Sequence, residues 1–259
     1  MKLKEKGNNT FIGKINILCY NKKGVKEGKS YKGDFTMQKG KLIVMEGACD
    51  GIGKTTQFTL LKERLEKEGK RVITHHFPTY NSYQGTPVEM YLKGEFGTPK
   101  ELSPYFVNSL YAVDRAITWK KELQEEYEKG SIILLDRYTT SSIIYQSSVL
   151  EDLRDRKMFI DYICDFEYNK LGIQEPDQVI FLYAPFDVVT KLREARKENE
   201  GITNDIHERD IDYMRNVYDN AMIVASYLDW DMIDCSNGNK LESIDNIHEK
   251  VFQKIKKDI

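Results

Sequence analysis

The stretch Glu46-Gly47-Ala48-Cys49-Asp50-Gly51-Ile52-Gly53-Lys54-Thr55-Thr56 decides the fold. It follows the aliphatic run Leu42-Ile43-Val44-Met45 and leads into helical spacing at Phe58, Leu60, Leu61 and Leu65. A short apolar strand, a glycine-rich turn and a helix opening on Gly-Lys-Thr-Thr form the context of a phosphate-binding loop. In such a loop the backbone N–H groups, here from Gly51 to Thr56 with Ile52 among them, cradle phosphate oxygens at a helix N-terminus. Gly51 and Gly53 let the main chain approach closely. Lys54 is then expected on the β- and γ-phosphates of ATP, and the Thr55 hydroxyl on Mg²⁺. A plain glycine turn capping an ordinary helix is the bland alternative, and Gly-Lys-Thr-Thr after an aliphatic strand argues against it. The pattern asks for glycine six residues before Lys54, where Ala48 stands. Either alanine is tolerated there or the loop carries a one-residue bulge.

Outward from the loop, short apolar runs alternate with helical patterns. Strands are expected at 41–46, 71–77, 131–136, 178–183 and 229–235. Helices are expected at 54–68, 102–129 (with a break), 155–171, 186–198, 206–228 and 244–257. Apolar strands alternating with helices predict a parallel sheet covered on both faces. The expected fold is α/β: a P-loop NTPase three-layer sandwich, with a central parallel sheet of about five strands flanked by helices.

The 259 residues carry 39 Lys plus Arg against 41 Asp plus Glu, a net charge of −2. That balance argues against nucleic acid as a partner of the whole surface. With 40% apolar and 11% aromatic residues, the chain has enough to build a core. The aliphatic runs are too short to span a bilayer, so no membrane partner is expected. Cys19, Cys49, Cys164 and Cys235 lie far apart without a C-x-x-C. Reduced thiols and a cytoplasmic location are the plain reading. Residues 1–40 hold ten Lys against Glu5, Glu27 and Asp34, net +7, and six of the seventeen glycines, which leaves −9 for the rest. This reads as a basic Gly/Lys-rich extension, either disordered or with one short strand near Phe11–Tyr20. An RNA- or membrane-binding arm is the sharper and less favoured reading.

Asp136-Arg137-Tyr138 ends the strand at 131–135. In a parallel sheet, functional loops gather at the strand carboxyl ends, on the edge that carries the phosphate loop. Asp136 can hold the metal or its water, and Arg137 can fork onto a second phosphate. Tyr111 and Arg115 stand four apart on one helix face, an aromatic plate beside a guanidinium, suited either to stacking on a base and bonding its edge or to an ordinary helix-surface pair. Lys191, Arg193, Arg196 and Lys197 form a basic cluster that either neutralises a transferring phosphoryl or merely suits a helix end. His75-His76 reads as packing or surface.

These residues resemble the thymidylate kinases, a family of P-loop nucleoside monophosphate kinases. The likeness runs from about Lys41 to the C-terminus. Its pieces appear in the family's order: the phosphate loop through Gln57, Phe77-Pro78 with Gly85, Tyr111…Arg115, Asp136-Arg137-Tyr138…Tyr145-Gln146, Pro176-Asp177-Gln178-Val179-Ile180, and Arg193…Asp205-Ile206-His207-Glu208. The resemblance implies ATP and Mg²⁺ as cofactors and dTMP as the small-molecule substrate, with dTDP and ADP as products. It implies a domain at 41–259 with a lid at about 193–207, and a homodimer. Phe77 would belong to the substrate pocket. Asp50 would meet the 3′-hydroxyl of dTMP, and Tyr111 would stack on thymine. Arg115 would bond the thymine carbonyl, Arg137 the dTMP phosphate, and Gln146 would lie beside the base. Arg193 and Arg196 would reach the transferring phosphate from the lid, and His207 would lie near the deoxyribose. The chain departs from the family at several points. The loop is one residue longer, Tyr80 stands where many members have Arg, and His207 stands where Tyr is frequent. Tyr183 replaces a commonly acidic residue, and 1–40 has no counterpart. Two other functions stay in view: a kinase for another pyrimidine deoxynucleotide, and a nucleotide-binding regulatory protein with little turnover.

Overall fold

Strand β1 (Lys41–Gly47) is buried over six of its seven residues, as a near-continuous apolar run requires when both faces are covered. The computed structural model describes residues 39–191 and 211–256. Residues 1–38 of the N-terminal extension and the whole expected lid, including Arg193, Arg196 and His207, lie outside the described residues. Around β1 the other strands are β2 (Val72–His76), β3 (Ile132–Asp136), β4 (Gln178–Tyr183) and β5 (Asp231–Asp234). All pair in parallel, in the order β2-β3-β1-β4-β5. The five-stranded parallel sheet flanked by helices is therefore as expected.

The helices are α1 (Lys54–Lys67), α2 (Thr86–Leu92), α3 (Pro104–Thr118), α4 (Gln124–Glu128), α5 (Thr139–Ser148), α6 (Leu153–Ile163), α7 (Ile211–Tyr227) and α8 (Ile244–Ile255). Alternation along β1 divides the core. Ile43 and Met45 face a cluster fed by α1, α5, α6, α7 and α8. Leu42 and Val44 face a second cluster with Trp119, Leu123 and Tyr127. Two apolar layers on either side of one sheet make the three-layer sandwich. No helix among the described residues is long and apolar enough to cross a membrane.

Several details differ from the periodicity, and helix α2 stands where no helix was expected. The break expected inside 102–129 is a π-helical segment, Trp119–Leu123, which carries two large side chains into the second core cluster. The helix expected at 155–171 ends as a second π-helical segment, Cys164–Lys170. Helix α5, with the sequence Thr-Thr-Ser-Ser-Ile-Ile-Tyr-Gln-Ser-Ser, has no apolar stripe to reveal it. Eight of its ten residues are nonetheless buried. Tertiary partners meet several of its polar groups: Glu46 accepts from Thr140 and Ser141, and Asn220 donates to Ile144 O and Ser147 Oγ. A short hairpin pairs Ser236–Asn237 with Lys240–Leu241 after β5.

Candidate active site

The phosphate loop leaves β1 at its carboxyl end. Ala48 N–H still donates to Leu182 O on β4 at 2.9 Å, so alanine is accommodated in the ladder and the turn proper runs from Cys49 to Gly53. Gly51 and Gly53 sit at φ +94° and +89°. A Cβ on Gly53 would meet nothing within 4 Å, so its left-handed backbone, rather than space, demands glycine. Helix α1 then opens on Lys54, whose side chain is nearly buried.

Lys54 Nζ bonds Asp136 Oδ1, and His76 Nδ1 lies 3.2 Å from the other carboxylate oxygen. Burial opposes the charge of Asp136, but its bonds to His76 and Lys54 outweigh burial and hold it well below the usual carboxylate range. The Lys54 pKa also falls, but for Lys54 that disfavours the charge. Burial first, then the charge of Arg137, pull its pKa down against the attraction of Asp136 and Glu46.

Arg137, one residue past β3, has φ +68°, a conformation costly for a side-chain-bearing residue. That turn sends its guanidinium to Asp50 of the phosphate loop, which Nη2 bonds. Nη1 lies 3.6 Å from Glu46 Oε1 and 3.5 Å from Ser141 Oγ, and the group sits 5.6 Å from the Tyr145 ring centre. Burial works against its charge, yet Asp50, Tyr145 and Glu46 raise its pKa well above the ordinary value. Glu46, fully buried, also accepts from Gly47 N–H at 3.1 Å.

At the far wall, α3 brings in Tyr111 and Arg115, the guanidinium 5.9 Å from the tyrosine ring centre. Arg115 is only 1% exposed. Nε and Nη2 fork onto Glu167 at 2.7 Å each, Nη2 also reaches Ser142 Oγ at 2.9 Å and Asn108 Oδ1 at 3.3 Å, and Nη1 reaches Tyr138 O at 3.4 Å. Of its five N–H groups, one on Nη1 has no partner among the described residues. Gln146 Oε1 is buried and also lacks one. Phe77 packs its ring 5.7 Å from that of Tyr138, and the Phe77-Pro78 peptide is cis. Asp114, next to Arg115, accepts from Thr79 N–H at 2.8 Å and so ties α3 to the segment after Pro78.

A cavity of about 280 Å³ joins these parts. Asp50, Lys54, Thr55, Phe77, Tyr111, Arg115, Asp136, Arg137 and Gln146 all line it, residues drawn from across a hundred positions of sequence. Gly51, Ile52, Gly53 and Thr56 lie in the adjoining loop and helix start rather than on its wall. His76, read as packing or surface, and Tyr80, noted only as a departure from the family, line it too, as does Ser142, which the sequence did not single out. Glu46 and Glu167 were also missed as partners. Each is an acid set in an apolar run or face, and that misplacement was the available signal. Among the described residues no group of three or more His, Cys, Asp or Glu could cage a metal.

A phosphate loop at the end of the central strand of a five-stranded parallel sheet, facing a second cation at the end of the next strand, defines a P-loop NTPase of the nucleotide-kinase class. The thymidylate kinase family model matches residues 45–251. A thymidylate kinase from Nostoc punctiforme is 32% identical over 193 residues, 73% of this chain and 84% of that one. A probable thymidylate kinase from Caldivirga maquilingensis is 28% identical over 195 residues, 75% and 85% of the two chains. The solved structure of thymidylate kinase from Candida albicans covers 85% of this chain and 92% of its own, with a TM-score of 0.63 at 21% identity, a likeness of fold. The chain belongs to the thymidylate kinase family.

Proposed function

We propose that this chain transfers the γ-phosphoryl group of ATP to dTMP, giving dTDP and ADP. The observation that carries the reading is the single cavity shared by Lys54 of the phosphate loop and Arg137 of the β3 end, with Tyr111 and Arg115 on its far wall. Two cationic anchors suit a donor and an acceptor phosphate, and phosphoryl transfer needs mainly their positioning and the neutralisation of charge. Asp50, bonded to Arg137, orients that guanidinium and would meet the 3′-hydroxyl of dTMP. Arg193 and Arg196 of the lid would add charge at the transferring group.

Mg²⁺ fits the oxygen donors available. It needs only one or two protein oxygens beside phosphates and waters, so no protein cage is required. Thr55 and Asp136 would hold it, and the depressed pKa of Asp136 keeps an anion there. When bound, Mg²⁺ supplies positive charge to the phosphate oxygens. By the same resemblance the enzyme works as a cytoplasmic homodimer.

Base choice follows from two polar atoms left over on the wall. The remaining Nη1 N–H of Arg115 is a donor, and Gln146 Oε1 is an acceptor. Thymine offers a 4-carbonyl acceptor beside an N3–H donor, whereas cytosine presents the reverse. A coupled ADP-release assay over dTMP, dUMP, dCMP, dAMP and dGMP tests the reading. The expected result is highest kcat/KM for dTMP, with dCMP at least about tenfold lower. Equal use of dCMP, or no ADP release above the background with water, overturns it.

A further inference from the structure

Helix α6 buries Phe159, Ile160 and Ile163, and the same face continues to Glu167 in the π-helical segment Cys164–Lys170. Glu167 is therefore a carboxylate in a core position, 0% exposed. Removing it from water costs several kcal/mol by order of magnitude, and a buried ion pair rarely returns more stability than apolar side chains of the same size would. Fold stability alone gives no reason to keep an acid there.

The reason lies across the interface with α3. Both oxygens of Glu167 are spent on one residue, Arg115, in a fork of two 2.7 Å hydrogen bonds. A planar fork sets the guanidinium plane as well as its position. It occupies Nε and one Nη2 hydrogen, and Ser142 and Asn108 take up the rest of Nη2. Only the Nη1 side is left to meet a ligand. The segment carrying Glu167 is itself pinned beside the cavity: Tyr168 OH lies 2.5 Å from Thr139 Oγ1 at the start of α5, and Ile173 N–H donates to Glu167 O at 3.2 Å. π-Helical turns recur where a helix must deliver one side chain out of its regular register.

We propose that Glu167 is the positioning residue for base discrimination: it fixes Arg115 so that a single Nη1 N–H faces the base edge, and so makes the pocket require an acceptor at position 4 of the pyrimidine. The proposal rests on the dTMP kinase reading above and adds to it a residue that touches no substrate. A guanidinium freed from Glu167 can turn its edge, and the donor-against-donor conflict that rejects a 4-amino group is relieved.

The test uses the full chain with Glu167→Gln and Glu167→Asp. The first keeps size and removes the charge; the second keeps the charge and withdraws it by one carbon. For each, kcat and KM are measured for dTMP and dCMP, together with KM for ATP and Tm. The expected result for Glu167→Gln is a dTMP-over-dCMP ratio of kcat/KM reduced by about tenfold, the scale of one lost polar recognition contact. The change should appear mainly in KM for dTMP, with KM for ATP within about twofold. Glu167→Asp should fall between the two and so show partial rescue. A carboxylate with a merely structural role would lower Tm and scale both pyrimidines alike, and an unmoved ratio overturns the proposal. If Glu167→Gln does not fold, the ratio in Glu167→Asp decides by the same criterion. Normal dTMP turnover in the unmodified chain with an unmoved ratio removes this proposal alone. Absence of dTMP turnover in the unmodified chain removes the functional reading, and this proposal with it.

Discussion

Lys54 and Arg137 share a cavity yet answer to different neighbours, and their substitutions should separate. Lys54 leans on Asp136, and its charge is reduced in cost by that contact. Lys54→Ala should cut kcat by about a thousandfold, roughly 4 kcal/mol of transition-state stabilisation. Turnover within about threefold of the unmodified chain would remove Lys54 from the chemistry. Arg137→Ala should raise KM for dTMP and lower kcat, with a smaller change in KM for ATP. Arg137→Lys should not restore it, because an ammonium cannot hold Asp50 and Glu46 and still present a planar fork to phosphate. Steady-state kinetics with each substrate varied in turn decide the matter, and a collapse in ATP affinity with dTMP binding intact would contradict the assignment.

At the level of elements, the acceptor wall depends on a tight approach. Gly85 opens α2, and a Cβ there would sit 2.0 Å from Thr79 O and 2.7 Å from its carbonyl carbon. Thr79 is already held by Asp114, so the backbone between Pro78 and Tyr80 has little room to give. Gly85→Ala should cost about 1–3 kcal/mol as an overpacking strain. It should also raise KM for the acceptor several-fold, because Pro78 and Tyr80 line the cavity. Thermal unfolding and dTMP titration read the two effects, and an unchanged KM would separate this segment from the site. The contrast between elements also shows what a sequence exposes. The strands and α1 were legible because an apolar run or a 3.6-residue stripe is a local property. Helix α5 was not, since its stability comes from Glu46 and Asn220, about 90 and 75 residues away in the chain. The site divides likewise. The phosphate loop and Asp136-Arg137 are contiguous motifs, whereas the fork from Glu167 to Arg115 spans 52 residues and leaves no local pattern beyond an acid on an apolar face. The long helix expected over 102–129 was read with a break, and the place of that break follows from Trp119 and Leu123 turning inward.

For the whole molecule, acid should weaken the fold through Asp136. Its native pKa lies below the ordinary 3.8, so the native state binds its proton later than the unfolded chain does. The stabilisation is complete above about pH 4 and is lost as pH falls through the native value. Glu126 shifts the same way through Arg71, and Glu249 through Gln253 and then Arg64, but the exposed ion pairs among these contacts fade in salt. Urea unfolding at high salt between pH 7 and pH 2.5 should therefore show a decline that Asp136→Asn flattens; an equally steep decline in that variant would place the cause elsewhere. The order of the sheet has a consequence for how the chain is made. Among the described strands β1 is made first, yet it lies between β3 and β4, and Leu42 N–H waits for Asp177, 135 residues downstream. At about 5–20 residues per second, translation leaves that central strand without both flanks for roughly ten seconds. The nascent chain can therefore gain its nucleotide grip only late in synthesis, and of the described strands β1 is the one most exposed to wrong pairing with a neighbouring polypeptide.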